Sequence, residues 1–128
     1  GLLLITDDGD YLHRVISPRR HVAKSYLATL DRPLGGDEGA IFASGTMMLE
    51  GEDKPLLPAI LEPLGERQAR LVIEEGRYHQ VRRMFAAVGN HVLDLHRERI
   101  GGLALPGDLA AGEFRILDRV TAESVFTA

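Results

Sequence analysis

A guanidinium at the edge of a buried helix face makes the clearest chemical demand in this sequence. The stretch Glu75 to Gly102 reads EGRYHQVRRMFAAVGNHVLDLHRERIGG. Within it Val81, Met84, Phe85 and Val88 recur at i, i+3, i+4 and i+7, the spacing of an apolar helix stripe. Tyr78, Val81, Arg82 and Phe85 share that spacing, which puts Arg82 at the border of the buried face and turns Arg83 away from it. A guanidinium at such a border needs a carboxylate or a phosphate, because an unpaired buried charge is strongly destabilising. Tyr26 offers a ring on which a base could stack, and a tyrosine packed into the core is the competing reading.

The charge distribution says which anion to look for. The net charge is −4, which by itself argues weakly against a nucleic-acid partner. Divided along the chain, residues 31 to 66 carry eight acids against Arg32 and Lys54, a balance of −6. Residues 67 to 100 carry Arg67, Arg70, Arg77, Arg82, Arg83, Arg97 and Arg99 against Glu74, Glu75, Asp94 and Glu98, a balance of +3. His79, His91 and His96 add donors there, and Arg14, Arg19, Arg20 and His21 form a second basic cluster. Such polarity suits a one-sided RNA surface, while solvated faces with local ion pairs are the alternative.

Other chemistries find little support. His91 and His96 are five apart in an expected strand and face opposite sides, and no carboxylate pair completes a metal set. The pairs Asp7-Asp8 and Asp37-Glu38 fall in turns and read as helix caps. Gly35-Gly36 lacks the lysine of a phosphate loop and the third glycine of a dinucleotide fingerprint, and Ser44-Gly45 is no nucleophile elbow.

The elements that must position these residues read as follows. Leu2 to Thr6 suits a buried strand, and Asp7-Asp8-Gly9 a turn that caps a helix over Asp10 to Ile16, stopped by Ser17-Pro18. Lys24 to Leu30 alternates as a strand, with Lys24, Tyr26 and Ala28 on one face. Asp37 to Ala43 predicts a short helix closed by Gly45, and residues 46 to 74 three short strands broken by glycine and proline. A helix over Tyr78 to Val88 ends at Gly89-Asn90. His91 to Ile100 follows as a strand anchored by Val92, Leu93, Leu95 and Ile100. Leu103 to Leu105 and Phe114 to Leu117 offer two more strands, and Thr121 a cap for a terminal helix. Short strands interleaved with helices, without regular βαβ alternation, predict an α+β fold.

The 128 residues make one domain, with 45% hydrophobic and 27% charged residues, ordinary for a soluble globular chain. No apolar run reaches the roughly 18 residues that span a bilayer. The absence of cysteine fits a reducing cytoplasm. The chain begins at Gly1, inside an expected strand, which suggests a fragment or processed product of a longer polypeptide.

Four segments in order, Gly1 to Gly9 (GLLLITDDG), Lys24-Ser25-Tyr26, Glu75 to Met84 (EGRYHQVRRM) and Leu95 to Gly101 (LHRERIG), resemble the Rsu-type pseudouridine synthases over nearly the whole chain. GRYHQVRRMFAAVGNHV followed by LHRERIGG is similar to the branch that modifies a uridine of small-subunit (16S) ribosomal RNA. The resemblance implies a mixed, largely antiparallel sheet flanked by helices. It also implies isomerisation of uridine in RNA to pseudouridine without cofactor or metal. In that family an aspartate attacks the nucleoside, and the base is detached, rotated and rejoined through carbon. Carried over, Tyr26 is the tyrosine that stacks on the target base and Arg82 the basic partner of the aspartate. Lys24, Arg77, His79, Gln80, Arg83 and Arg97 become RNA-facing or supporting positions. The aspartate itself belongs to a Gly-Arg-Leu-Asp segment just before the Gly-Leu-Leu-Leu run, hence upstream of Gly1. Asp7, Asp8 and Asp10 do not occupy that position, and the small S4-type RNA-binding domain is not in this sequence. Residues 1 to 128 are thus expected to be an N-terminally truncated C-terminal catalytic domain, monomeric, cytoplasmic, inactive alone, and directed in the full protein at 16S RNA within an assembling subunit. A synthase for large-subunit (23S) RNA and a non-catalytic RNA-binding module with the same fold are the alternatives.

Overall fold

The computed structural model describes residues 1–17 and 20–127. Its centre is a five-stranded antiparallel sheet in the order β2-β3-β1-β4-β5. The strands are β1 (Lys24–Leu30), β2 (Ile60–Gly65), β3 (Gln68–Ile73), β4 (Val92–Ile100) and the short β5 (Leu103–Ala104). Among the described residues four α-helices accompany them: α1 (Gly9–Ile16), α2 (Glu38–Ala43), α3 (Gln80–Ala87) and α4 (Arg119–Glu123), the last followed by a 3-10 turn over Ser124–Phe126.

Strand periodicity sorts β1 into two faces. Tyr26 lies opposite Leu71 and Ala28 opposite Ala69, and this face meets Val81, Met84 and Phe85 of α3 in the main core. Leu27 lies opposite Arg70 on the other face, as the alternation requires. A second cluster, Leu2, Val15, Val22, Ile100, Leu103 and Val125, joins α1 and the C-terminal turn to the far end of β4. α1 is fixed to α4 by Tyr11, whose hydroxyl donates to the Ala122 carbonyl at 2.7 Å, and by the paired Arg14–Glu123 contacts.

Several expectations need correction. Leu2 to Thr6 forms no strand of the sheet: Leu2 is buried while Leu3 is 69% exposed and Ile5 87%. α1 starts at Gly9, one residue earlier than expected, while Asp8 caps it as expected by accepting the Tyr11 N–H at 3.1 Å and Ser17 ends it; Pro18 and Arg19 lie outside the described residues. Residues 46 to 74 give two strands, not three, because residues 46–59 form a loop tied down by side chains of later residues. α3 starts at Gln80, two residues late, since His79 takes a left-handed conformation (φ +48°) that a right-handed helix cannot contain. Leu93 is exposed rather than an anchor of β4, and Phe114 to Leu117 forms no strand, with Phe114 and Ile116 in solvent. Asp118, not Thr121, caps α4 by accepting the Thr121 N–H at 2.7 Å.

Glu38 departs from the capping expectation in an informative way. It is buried, and its carboxylate accepts the Gly35 and Gly36 N–H groups at 2.6 and 2.8 Å. Burial pushes its pKa up, but these backbone donors outweigh that and hold the carboxyl below its ordinary value.

Candidate active-site pocket

The site begins with a break in the pairing of β1 with β4. Ser25 faces Arg99 but Tyr26 faces Arg97, so Glu98 is an extra residue on β4. A bulge of this kind bends its strand and re-aims side chains. Glu98 reaches Arg70 Nε at 2.6 Å. Tyr26 and Arg97 are left as direct neighbours on the face that α3 covers.

A cavity of about 360 Å³ opens beside them. β1 contributes Lys24 and Tyr26, β4 contributes Leu95 and Arg97, and α3 contributes Gln80, Val81 and Arg82. Ile73 at the end of β3, Gly76, Arg77 and His79 from the β3–α3 connection and Ile16 at the end of α1 complete the wall. Four permanent cations and a histidine therefore line the cavity, and among the described residues no acidic side chain does. The electrostatic consequence is visible at Lys24. Burial, and then the neighbouring Arg97, hold its ammonium below the ordinary lysine pKa, with Glu75 opposing in part.

Arg82 does not sit as the helix spacing suggested. It is exposed, and its Nη1 donates to the Val92 carbonyl at 2.9 Å. Among the described residues it has no carboxylate partner, so the anion that the sequence demanded is not present in this chain's own side chains. Arg83, expected to turn away, is the half-buried one of the two. Its guanidinium contacts Glu52 Oε1 at 3.1 Å and donates to the Tyr78 and Glu50 carbonyls. The reason is the 46–59 loop, which lies against that side of α3 and cannot be inferred from helix periodicity.

The remaining residues divide by what holds them. Arg97 Nε donates to the Leu2 carbonyl at 2.8 Å, and the Leu2 N–H donates back to the Arg97 carbonyl at 2.6 Å. Arg77 is fully engaged: Nε with Glu75 Oε1 at 2.9 Å, Nη1 with the Lys54 carbonyl and Nη2 with the Pro55 carbonyl. Gln80 is buried, accepting the Arg77 N–H at 3.0 Å and donating to Glu75 Oε2 at 3.2 Å. Glu75 organises this group and also accepts the Leu57 N–H at 2.7 Å, a role the sequence reading missed. The signal available was the buried-face position of Gln80 one turn before Met84, which obliges a polar side chain to find partners nearby.

Chemically, the arrangement is a cation-lined pocket with one aromatic wall. It can hold an anion or a flat heterocycle attached to phosphates, and it can stabilise negative charge that develops there. Residues 1–87 match the family model described as RNA pseudouridylate synthase. The chain belongs to this family.

Its relatives in the RNA pseudouridylate synthase family match along nearly all of this chain. Ribosomal small subunit pseudouridine synthase A of Escherichia coli (strain K12) is 54% identical over 125 residues, covering 98% of this chain and 54% of that protein. The protein of the same name from Haemophilus influenzae is 47% identical over 125 residues, covering 98% and 53%. A solved structure described as "Crystal structure of pseudouridylate synthase" has a TM-score of 0.89 at 47% identity, covering 94% of this chain and 52% of that one. The chain thus spans about half the length of the curated relatives it matches. The α+β expectation holds, with the mixed sheet-and-helix architecture of a pseudouridylate synthase. Of the family segments, Lys24 to Tyr26 and Glu75 to Met84 converge on the cavity, Arg97 joins them from the fourth segment, and Gly1 to Gly9 brings Leu2 against Arg97.

Proposed function

We propose that this chain is the catalytic-domain portion of a pseudouridine synthase that isomerises one uridine of small-subunit (16S) ribosomal RNA. The observation that carries the proposal is the set of cations around Tyr26, with no carboxylate among the described residues of the cavity lining. In this reading the target uridine is flipped out of its strand and stacks on Tyr26. Arg82 presents its free guanidinium N–H groups to the attacking aspartate, lowers the aspartate's pKa and orients it. That aspartate comes from a Gly-Arg-Leu-Asp segment outside residues 1 to 128, so these residues alone are inactive. Lys24, His79 and Arg97 receive the RNA backbone, while Arg77, Gln80 and Arg83 hold the wall that presents them. The chemistry requires no cofactor or metal. The protein acts as a cytoplasmic monomer on RNA of the assembling small subunit; the names of its relatives support the choice of small-subunit RNA.

A non-catalytic RNA-binding module is the second reading, favoured by the same absence of an acidic residue from the described lining. Mapping pseudouridine in ribosomal RNA from cells with and without the protein separates the possibilities. Loss of one site in 16S RNA supports the proposal, and loss of a 23S site moves the substrate to the large subunit. An unchanged map leaves only the binding module. Complementation with Tyr26→Ala should then fail, whereas Tyr26→Phe should retain stacking and restore the modification at least in part.

A further inference from the structure

We propose that Tyr78 and His79 form a stacking step for the nucleobase next to the one held at Tyr26, which deepens the RNA reading above and rests on it. Tyr78 is 77% exposed, yet its ring lies on that of His79 with centroids 3.9 Å apart and planes within 18°. One face of the tyrosine is therefore covered, and the exposed area belongs to the other face and the edges. His79 lines the cavity, so the pair leads from the rim outward. Among the described residues, neither ring has a hydrogen-bond partner to account for its orientation.

The backbone makes this arrangement more than a loose surface aromatic. His79 is in the left-handed region at φ +48°, ψ +37°, a conformation uncommon for a residue with a side chain. The break removes Tyr78 from the helical stripe it would share with Val81 and Phe85 and delivers its ring to water. Both effects are unfavourable in the free protein, and such strain gathers where a ligand is clamped. Single-stranded RNA is recognised by a track of cations with aromatic rings on which successive bases stack. Lys24, Arg82 and Arg97 supply the cations, Tyr26 the inner ring and Tyr78 the outer one.

The test uses the protein carrying this chain and single strands of about nine nucleotides, a length within the range that such sites bind. The strand is centred on the uridine that the wild type modifies, with 2-aminopurine placed at each flanking position in turn. The wild type should quench the probe at one flanking position. Tyr78→Leu should abolish that quenching and weaken binding about 5- to 150-fold, the range for loss of one base–aromatic stack. Tyr78→Phe should keep both within about twofold, since only the ring is needed. His79→Gly relieves the left-handed strain while removing the imidazole on which Tyr78 rests, so it should preserve or raise stability yet weaken binding. Normal quenching and affinity in Tyr78→Leu, or normal affinity in a stable His79→Gly, overturns the proposal. If the wild type forms no pseudouridine, the synthase reading fails by itself, and the same variants on a uridine-centred strand still decide whether the stack exists.

Discussion

Replacing Glu75 by glutamine should loosen the pocket wall without removing any group proposed to touch RNA. The Glu75 side chain is 10% exposed and that of Arg77 21%, so neither is well solvated. Three donors converge on the carboxylate: Arg77 Nε on one oxygen, the Leu57 N–H and Gln80 Nε2 on the other. Glutamine has one acceptor oxygen and an amide that is itself a donor. If the amide faces Leu57 and Gln80, two donors lose their acceptor. If it faces Arg77, one donor loses its acceptor, which is the smaller loss, and in either orientation the cation loses its counter-ion. A hydrogen bond to a charged group contributes about 1.5–3 kcal/mol, and the orphaned donor adds to the cost, so the expected destabilisation is about 2–4 kcal/mol. With an unfolding entropy of about 2.1 cal/mol/K per residue, 128 residues give roughly 0.27 kcal/mol/K, and Tm should fall by about 7–15 °C. Thermal and urea unfolding followed by circular dichroism measure this, with an unchanged urea slope confirming a change in stability rather than in compactness. Arg77→Met and the double variant complete a cycle whose coupling energy should lie between about 0.5 and 3 kcal/mol. A Tm shift under about 2 °C for Glu75→Gln refutes the reasoning, because the network would then carry no net stability.

Three further outcomes follow from individual residues. Arg82→Ala should cost less than about 1.5 kcal/mol of stability, since it removes one bond from an exposed side chain, while abolishing pseudouridine formation; near-normal turnover refutes its role. Because Lys24 titrates below the ordinary lysine value, the unfolded chain holds that proton more tightly between the lowered value and about 10.4, so this group makes stability rise with pH across that window. Urea midpoints of Lys24→Met should lack that part of the rise, and parallel wild-type and variant profiles contradict it. Gly101→Ala should destabilise by about 3 kcal/mol or more, since its φ is +55° and an added Cβ would fall 1.6 Å from the Val125 carbonyl oxygen, whereas Gly107→Ala, with nothing within 4 Å, should be near neutral in the same unfolding assay.

What was legible in the sequence depended on whether the deciding contacts were local. The alternation of Lys24 to Leu30 gave both the strand and the face that carries Tyr26, because a strand's two sides follow from its backbone. The Val81, Met84, Phe85 stripe gave α3 and its buried face for the same reason. Phe114 to Leu117 offers a similar apolar pattern, but among the described residues no neighbouring strand gives it a ladder, so Phe114 and Ile116 are left in solvent and only Leu117 packs against the second cluster. Leu2 to Thr6 is intermediate: one pair of hydrogen bonds with Arg97 holds its start, and the alternation of buried Leu2 with exposed Leu3 shows the strand-like geometry without continuous pairing. The exchange of roles between Arg82 and Arg83 was illegible because it is settled by Glu50 and Glu52, some thirty residues earlier, folding over α3.

That exchange also changes the meaning of the charge partition. The acidic block 31–66 and the basic block 67–100 are not simply a neutral body and an RNA face. Glu52 pairs with Arg83 and Glu62 with Arg70, while within the basic block Glu98 also pairs with Arg70 and Glu75 with Arg77. The local ion-pair reading is therefore right for these three arginines, and the RNA reading draws on others. Among the described residues Arg82, Arg97 and Lys24 line the cavity with backbone carbonyls or nothing as partners, and Lys24 is held below its ordinary pKa by burial first and then by Arg97, with Glu75 opposing only in part. An anion entering among them is stabilised by cations already held in place by β1, β4 and α3, so little reorganisation opposes binding. The informative quantity is not the +3 balance of a segment but the identity of the cations left without carboxylates, three of which, Lys24, Arg82 and Arg97, the fold gathers around Tyr26.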